Sequence, residues 1–175
     1  PVRFISNHST GKMGYALAEN AAMRGAEVTL VSGPVTLPPP LHVDVVWVTS
    51  AADMMSAVQA QADSQDIIIC CAAVADMRPK AVAAEKIKKT DFSGQIVLEP
   101  TEDILAWLGK NRRDGQILVG FSMETENLVA NSKGKLERKN IDMIIANNVK
   151  VEGAGFGTDT NVVTMITKDA VKEFP

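Results

Sequence analysis

Residues 66–76 read DIIICCAAVAD, nine consecutive apolar residues bounded by an aspartate at each end. A run of that length, rich in isoleucine where it begins, predicts a strand at the centre of a parallel sheet, covered on both faces. Working back from it, Ser50 and Asp53 have the spacing of a capping box, which opens a helix with Met54, Met55 and Val58 turned inward. Before that helix, VDVVWVT (43–49) and AEVTLVS (26–32) read as strands, the second closed by Gly33-Pro34. Between them the proline-rich residues 37–41 form a rigid connector. Further upstream, residues 11–24 carry Met13, Leu17 and Ala21 at helical spacing, with Gly25 as the residue just past the end.

Working forward, residues 77–94 make a polar, basic loop too long for a simple connection. A short strand (95–99), a helix (102–111), the strand QILVGFSME (116–124) and a long helix to Asn140 follow. Then come the strand DMIIANNV (142–149), a second flexible loop at 153–157 and a final strand NVVTMIT (161–167). Repeated strand–helix units with apolar strands predict an α/β fold: an open, mostly parallel Rossmann-like sheet with helices on both faces. With 175 residues, 46% apolar and 22% charged, the chain fits one domain spanning 1–175. Phosphate-binding loops of such folds follow a first strand, and here the helix-start loop begins almost at once. The chain also stops soon after a strand, so the reading expects a domain trimmed at its N-terminus and C-terminus.

Composition narrows the function classes. No apolar run approaches a membrane span, and no signal peptide opens the chain. The only cysteines, Cys70 and Cys71, are adjacent inside an apolar run, which reads as reduced thiols in the cytoplasm. His8 and His42 are isolated and build no zinc spacing with them. A net charge of −3 argues against general nucleic-acid binding. Against that background two basic clusters stand out: Lys80, Lys86, Lys88 and Lys89, then Lys133, Lys135, Arg138 and Lys139.

The stretch SNHSTGKMG (6–14) places a small-residue loop before a helix start, where unpaired N–H groups and the macrodipole favour an anion. It is not a Walker A loop, because Ser6 and Met13 stand where glycine and Ser/Thr are required. It is not a dinucleotide fingerprint either, because Ser9 replaces a glycine. Ligands of open α/β sheets bind beyond the carboxyl ends of the strands. That rule gathers Asn7–Lys12, Ala72–Asp76, the basic loop, Gly120-Phe121 and Asn147-Asn148 on one edge. There Asp76 can take a ribose hydroxyl or a magnesium ion, and Phe121 can stack on a base. Lys135 and Lys139 stand one helical turn apart, a plausible phosphate-binding face.

Taken in order, VRFISNHSTGKMG, AEVTLVSGP, CAAVAD with a downstream EKIKK, GFSMET and RKNIDMIIAN resemble the phosphopantothenate–cysteine ligases. That family forms the C-terminal half of a bifunctional bacterial coenzyme A biosynthesis protein. The resemblance implies that a carboxylate of 4′-phosphopantothenate attacks the α-phosphate of CTP, with magnesium, to release pyrophosphate. L-cysteine then displaces CMP from the acyl-cytidylate and forms 4′-phosphopantothenoylcysteine. Carried over position by position, it gives Asn7 the acyl-nucleotide intermediate and Lys86 the CTP during activation. It places Ser9, Gly11, Cys70, Cys71, Ala72, Asp76, Glu102, Asp103, Ile104, Leu105, Phe121, Lys135 and Lys139 in the nucleotide site, with Asp76 as the metal candidate. At the helix start this chain reads Thr-Glu-Asp-Ile where relatives often read Asn-Pro-Asp-Ile. It further implies a homodimer, a fused flavin-dependent decarboxylase domain, and a basic loop that closes over the nucleotide. Neither nucleic acid nor a membrane is expected as a partner.

Two other classes compete. A nicotinamide-dependent Rossmann oxidoreductase expects an acid after the second strand, where Ser32-Gly33 stand. It also expects a Tyr-x-x-x-Lys dyad, whereas the sole tyrosine, Tyr15, is followed four residues on by Glu19. A non-catalytic nucleotide-binding module would bind CTP without turnover.

Overall fold

The computed structural model describes residues 4–88, 94–124, 127–148 and 162–174. Lys89 of the basic cluster and the loop expected at 153–157 lie outside the described residues. In chain order the elements are α1 (Lys12–Met23), β1 (Thr29–Ser32), β2 (Asp44–Trp47), α2 (Ala51–Ala62), β3 (Ile67–Cys70), β4 (Met77–Pro79), β5 (Leu98–Pro100), α3 (Ile104–Asn111), β6 (Ile117–Glu124), α4 (Leu128–Lys139), β7 (Met143–Asn148), β8 (Val163–Thr167) and β9 (Val171–Phe174). No described helix is long and apolar enough to cross a membrane.

Local chemistry sets the helix ends. At α2 the Ser50 hydroxyl accepts from the Asp53 N–H at 3.1 Å, and the Asp53 carboxylate accepts from the Ser50 N–H at 2.9 Å, the reciprocal bonds expected of the spacing. Helix α1 closes on a Schellman motif. The N–H of Ala26 donates to the Ala21 carbonyl and that of Gly25 to Ala22, with Gly25 at φ 89°. Helix α4 ends on Asn140 at φ 51°, a left-handed geometry that asparagine tolerates better than most residues.

Strands β3, β6 and β7 run parallel, and β8 and β9 extend the same sheet antiparallel. Strands β1 and β2 form a separate parallel pair, and β4 and β5 an antiparallel ribbon. The parallel α/β core matches the expectation, while β4 and β9 are additions the hydrophobic pattern did not predict. One expectation is corrected. Among the described residues β3 is an edge strand, not a central one, because β6 is its only partner there. Ile67 and Ile69, expected to be covered, are 56% and 44% exposed. Among the described residues β1 likewise pairs only with β2, so two strand edges face a cleft that runs between the sheets.

The core lies on one face of the larger sheet. Met55 and Ala62 of α2, Ile104 and Leu108 of α3, and Leu136 of α4 pack with Leu118, Ile144, Ala146 and Ile166 from the strands. Helix α3 sits unusually close to its neighbours because two glycines admit it. A Cβ on Gly109 would lie 1.7 Å from the Lys139 carbonyl oxygen, and one on Gly120 would lie 2.5 Å from Leu105 Cδ2.

Candidate functional site

The helix-start loop is built around Gly11. Its φ of 78° is left-handed, and a Cβ there would meet Val35 Cγ1 at 2.9 Å, so no other residue suits the position. The loop's own hydroxyls turn towards the backbone at the helix start: Ser9 accepts from the Gly11 N–H and Thr10 from the Lys12 N–H. The Asn7 amide donates to the Val74 carbonyl at 3.1 Å, tying this loop to the segment after β3, 67 residues away. An asparagine amide carries two hydrogens, so one remains for a ligand.

The segment after β3 is held a second time. The Thr101 hydroxyl donates to the Ala75 carbonyl at 2.5 Å, and the Thr101 N–H donates to the Asp76 carbonyl at 2.9 Å. Asp76 itself is exposed at the mouth of the cleft. Among the described residues no group of three or more His, Cys, Asp or Glu could hold a metal ion.

Asp103 caps α3 by accepting from the Ala106 N–H at 3.0 Å, and it forms an ion pair with Lys139 at 2.8 Å. Burial pushes the Asp103 carboxyl upward. The Lys139 hydrogen bond and charge, with the Ala106 and Leu105 N–H groups, outweigh it and hold the carboxyl below its ordinary range. Burial also pushes the Cys70 thiol up to about 12 and the Cys71 thiol to about 11. Both are free, and burial favours their protonated form at neutral pH.

The cleft is open to solvent and measures about 3370 Å³, several times the roughly 300–1,000 Å³ of a typical ligand pocket. Asn7, Ser9, Gly11, Cys70, Cys71, Ala72, Asp76, Lys86, Glu102, Asp103, Ile104, Leu105, Phe121 and Lys139 all line it, so the fold gathers nearly every expected position. Lys135 is not among the lining residues, nor is Asn147. Lys135 and Lys139 of α4 thus part company: Lys139 turns to Asp103 on the cleft wall, while Lys135 is not among the residues lining the cleft. Thr101, which the sequence reading left out of the site, also lines the cleft, and only its position at the end of β5 could have suggested it.

The family model of the DNA/pantothenate metabolism flavoprotein C-terminal domain matches residues 1–175. The chain is 51% identical to the coenzyme A biosynthesis bifunctional protein CoaBC of Bacillus subtilis (strain 168), over 98% of its own length and 42% of the relative's. It is 52% identical to a cysteine/cysteine sulfinic acid decarboxylase of an unknown prokaryotic organism, over 96% of its own length and 47% of the relative's. Among solved structures it is similar to the C-terminal domain of CoaBC, with a TM-score of 0.83 and 48% identity, covering all of this chain and 78% of that one. The chain spans less than half the length of these curated relatives. The match across its whole length shows that the chain belongs to the family of DNA/pantothenate metabolism flavoprotein C-terminal domains.

Proposed function

We propose that the cleft joins 4′-phosphopantothenate to L-cysteine with CTP as the activating nucleotide, as a phosphopantothenate–cysteine ligase of coenzyme A biosynthesis. The observation that carries the reading is the convergence of Asn7, Asp76, Lys86 and the Asp103–Lys139 pair on one cleft, in a chain whose relatives include CoaBC. In the first step a carboxylate oxygen of phosphopantothenate bonds to the α-phosphorus of CTP, and the bond to pyrophosphate breaks. In the second the cysteine nitrogen bonds to the acyl carbon, the bond to CMP breaks, and the amine loses a proton. Both steps gather negative charge, so preorganised cations and N–H donors serve them better than a protein nucleophile. Lys86 and Lys139 supply positive charge, the second amide hydrogen of Asn7 faces the acyl-nucleotide, and Phe121 lies where a base can stack. Asp76 would hold a magnesium ion together with the substrate phosphates, and the ion would supply charge neutralisation there. We also propose a homodimer in the cytoplasm, with the flavin-dependent decarboxylase domain fused as in the bifunctional protein.

The test is direct. Pyrophosphate should appear from CTP and magnesium only when 4′-phosphopantothenate is present, and CMP only when L-cysteine follows. Release that ignores phosphopantothenate would sink the reading, and parallel turnover with ATP tests the choice of base. Asn7→Ala should slow conversion of the intermediate by about 10²–10³, the usual cost of losing one such donor. The decarboxylase name of one relative supplies the competing reading, for which CO₂ release from cysteine sulfinic acid by this chain is the test.

A further inference from the structure

Three consecutive carbonyls, those of Val74, Ala75 and Asp76, bridge the end of β3 to the start of β4, and each accepts from a distant donor. Asn7 supplies one, and Thr101 supplies the other two through its hydroxyl and its backbone N–H. Thr101 directly follows β5 and precedes Asp103 by two residues. Asp76 directly precedes β4. Both stalks of the ribbon therefore meet at the Thr101–Asp76 contact. Above it, Arg78 pairs with Glu99 at 2.9 Å, and the Lys80 N–H donates to the Val97 carbonyl at 3.0 Å. Lys86 lies farther along the chain that leaves β4.

We propose that Thr101 is a positioning residue: its hydroxyl clamps the Val74–Asp76 turn to the start of α3. The clamp keeps Asp76, the ribbon leading to Lys86 and the Asp103–Lys139 pair in one geometry around the nucleotide. Thr101 is part-buried, as is Ala75. A part-buried acceptor that loses its donor is costly enough to shift the turn. This inference rests on the nucleotide-binding reading of the cleft.

Thr101→Val removes the hydroxyl and little else, and Thr101→Ser restores it. The valine variant should raise the KM for CTP about tenfold with a smaller fall in kcat, and the serine variant should stay within about twofold of wild type. Without nucleotide, amide exchange at residues 76–80 and 97–101 should quicken about tenfold in the valine variant alone. Thr101→Ala replaces the valine variant should the latter not fold. A valine variant with wild-type KM and exchange overturns the proposal, as does equal impairment of valine and serine variants. A lowered Tm with unchanged KM also overturns it, since that marks a structural role only. Should wild-type protein show no CTP turnover, the ligase reading fails and the exchange measurement still decides the role of the clamp.

Discussion

At Gly109 and Gly120, beside α3, a single methyl group has no room, whereas at Gly14 within α1 it meets nothing. A Cβ at Gly109 would sit 1.7 Å from the Lys139 carbonyl, while one at Gly14 in α1 finds no atom within 4 Å. The tight side carries the ion pair of Asp103 and Lys139, and its helices share one core. The open side carries the helix-start loop, the two-stranded β1–β2 sheet and an unpaired strand edge. The difference teaches how the work is divided. The packed wall holds the Asp103–Lys139 pair in one geometry, and the open wall leaves space beside the backbone of α1.

The largest expected effect tests the packed wall. Gly109→Ala forces the end of α4 away from α3 and should destabilise the protein by about 1–3 kcal/mol, occasionally more. Nucleotide affinity should fall with it, because Lys139 follows the moved backbone. Denaturant unfolding that matches wild type would show that the two helices are not locked together. A smaller effect concerns the ion pair. The Asp103 carboxyl lies below its ordinary value of 3.8 in the folded protein. Its contribution is therefore fully present above that value and is lost as pH falls through the lower folded value. Acid unfolding of Asp103→Asn, which keeps a capping side chain, should be less steep than that of wild type below about pH 4. Identical acid profiles would remove the pair from the account. The smallest effect has the opposite sign. Gly14→Ala should stabilise α1 by about 0.5–1 kcal/mol, since alanine costs less than glycine in a helix. If the open wall receives ligand against its backbone, the same change should weaken CTP binding while raising Tm. Destabilisation would mean that this side is as tightly packed as the other.

Much of the fold was legible because it rests on short-range chemistry. The Ser50–Asp53 box and the Gly25 helix end involve residues within a few positions of one another, and each formed as its sequence indicated. The apolar run at 67–75 announced a strand, but its place in the sheet was misjudged. Hydrophobicity records that a strand is to be covered, not by which element, and here one edge of β3 faces the cleft. Of the expected site positions, Asp76 was read from a strand end and Asn7 and Lys86 from the family resemblance, and all three line the cleft. Thr101 was not legible, because a threonine after a proline carries no signal until the chain folds it against residues 25 or more positions earlier.

The sequence by itself determined the alternation of strands and helices, the helix caps, the identity of the family and the set of residues available for chemistry. These follow from periodicity, local hydrogen bonding and motif order, all of which survive in one dimension. Only the tertiary structure decided that Lys139 and not Lys135 lines the cleft, that Asp103 engages it, and that Asn7 and Thr101 jointly hold the Val74–Asp76 turn. Those outcomes depend on how closely α3 meets α4 and β6. That distance is set by the missing side chains of Gly109 and Gly120, which act only once distant segments are packed together.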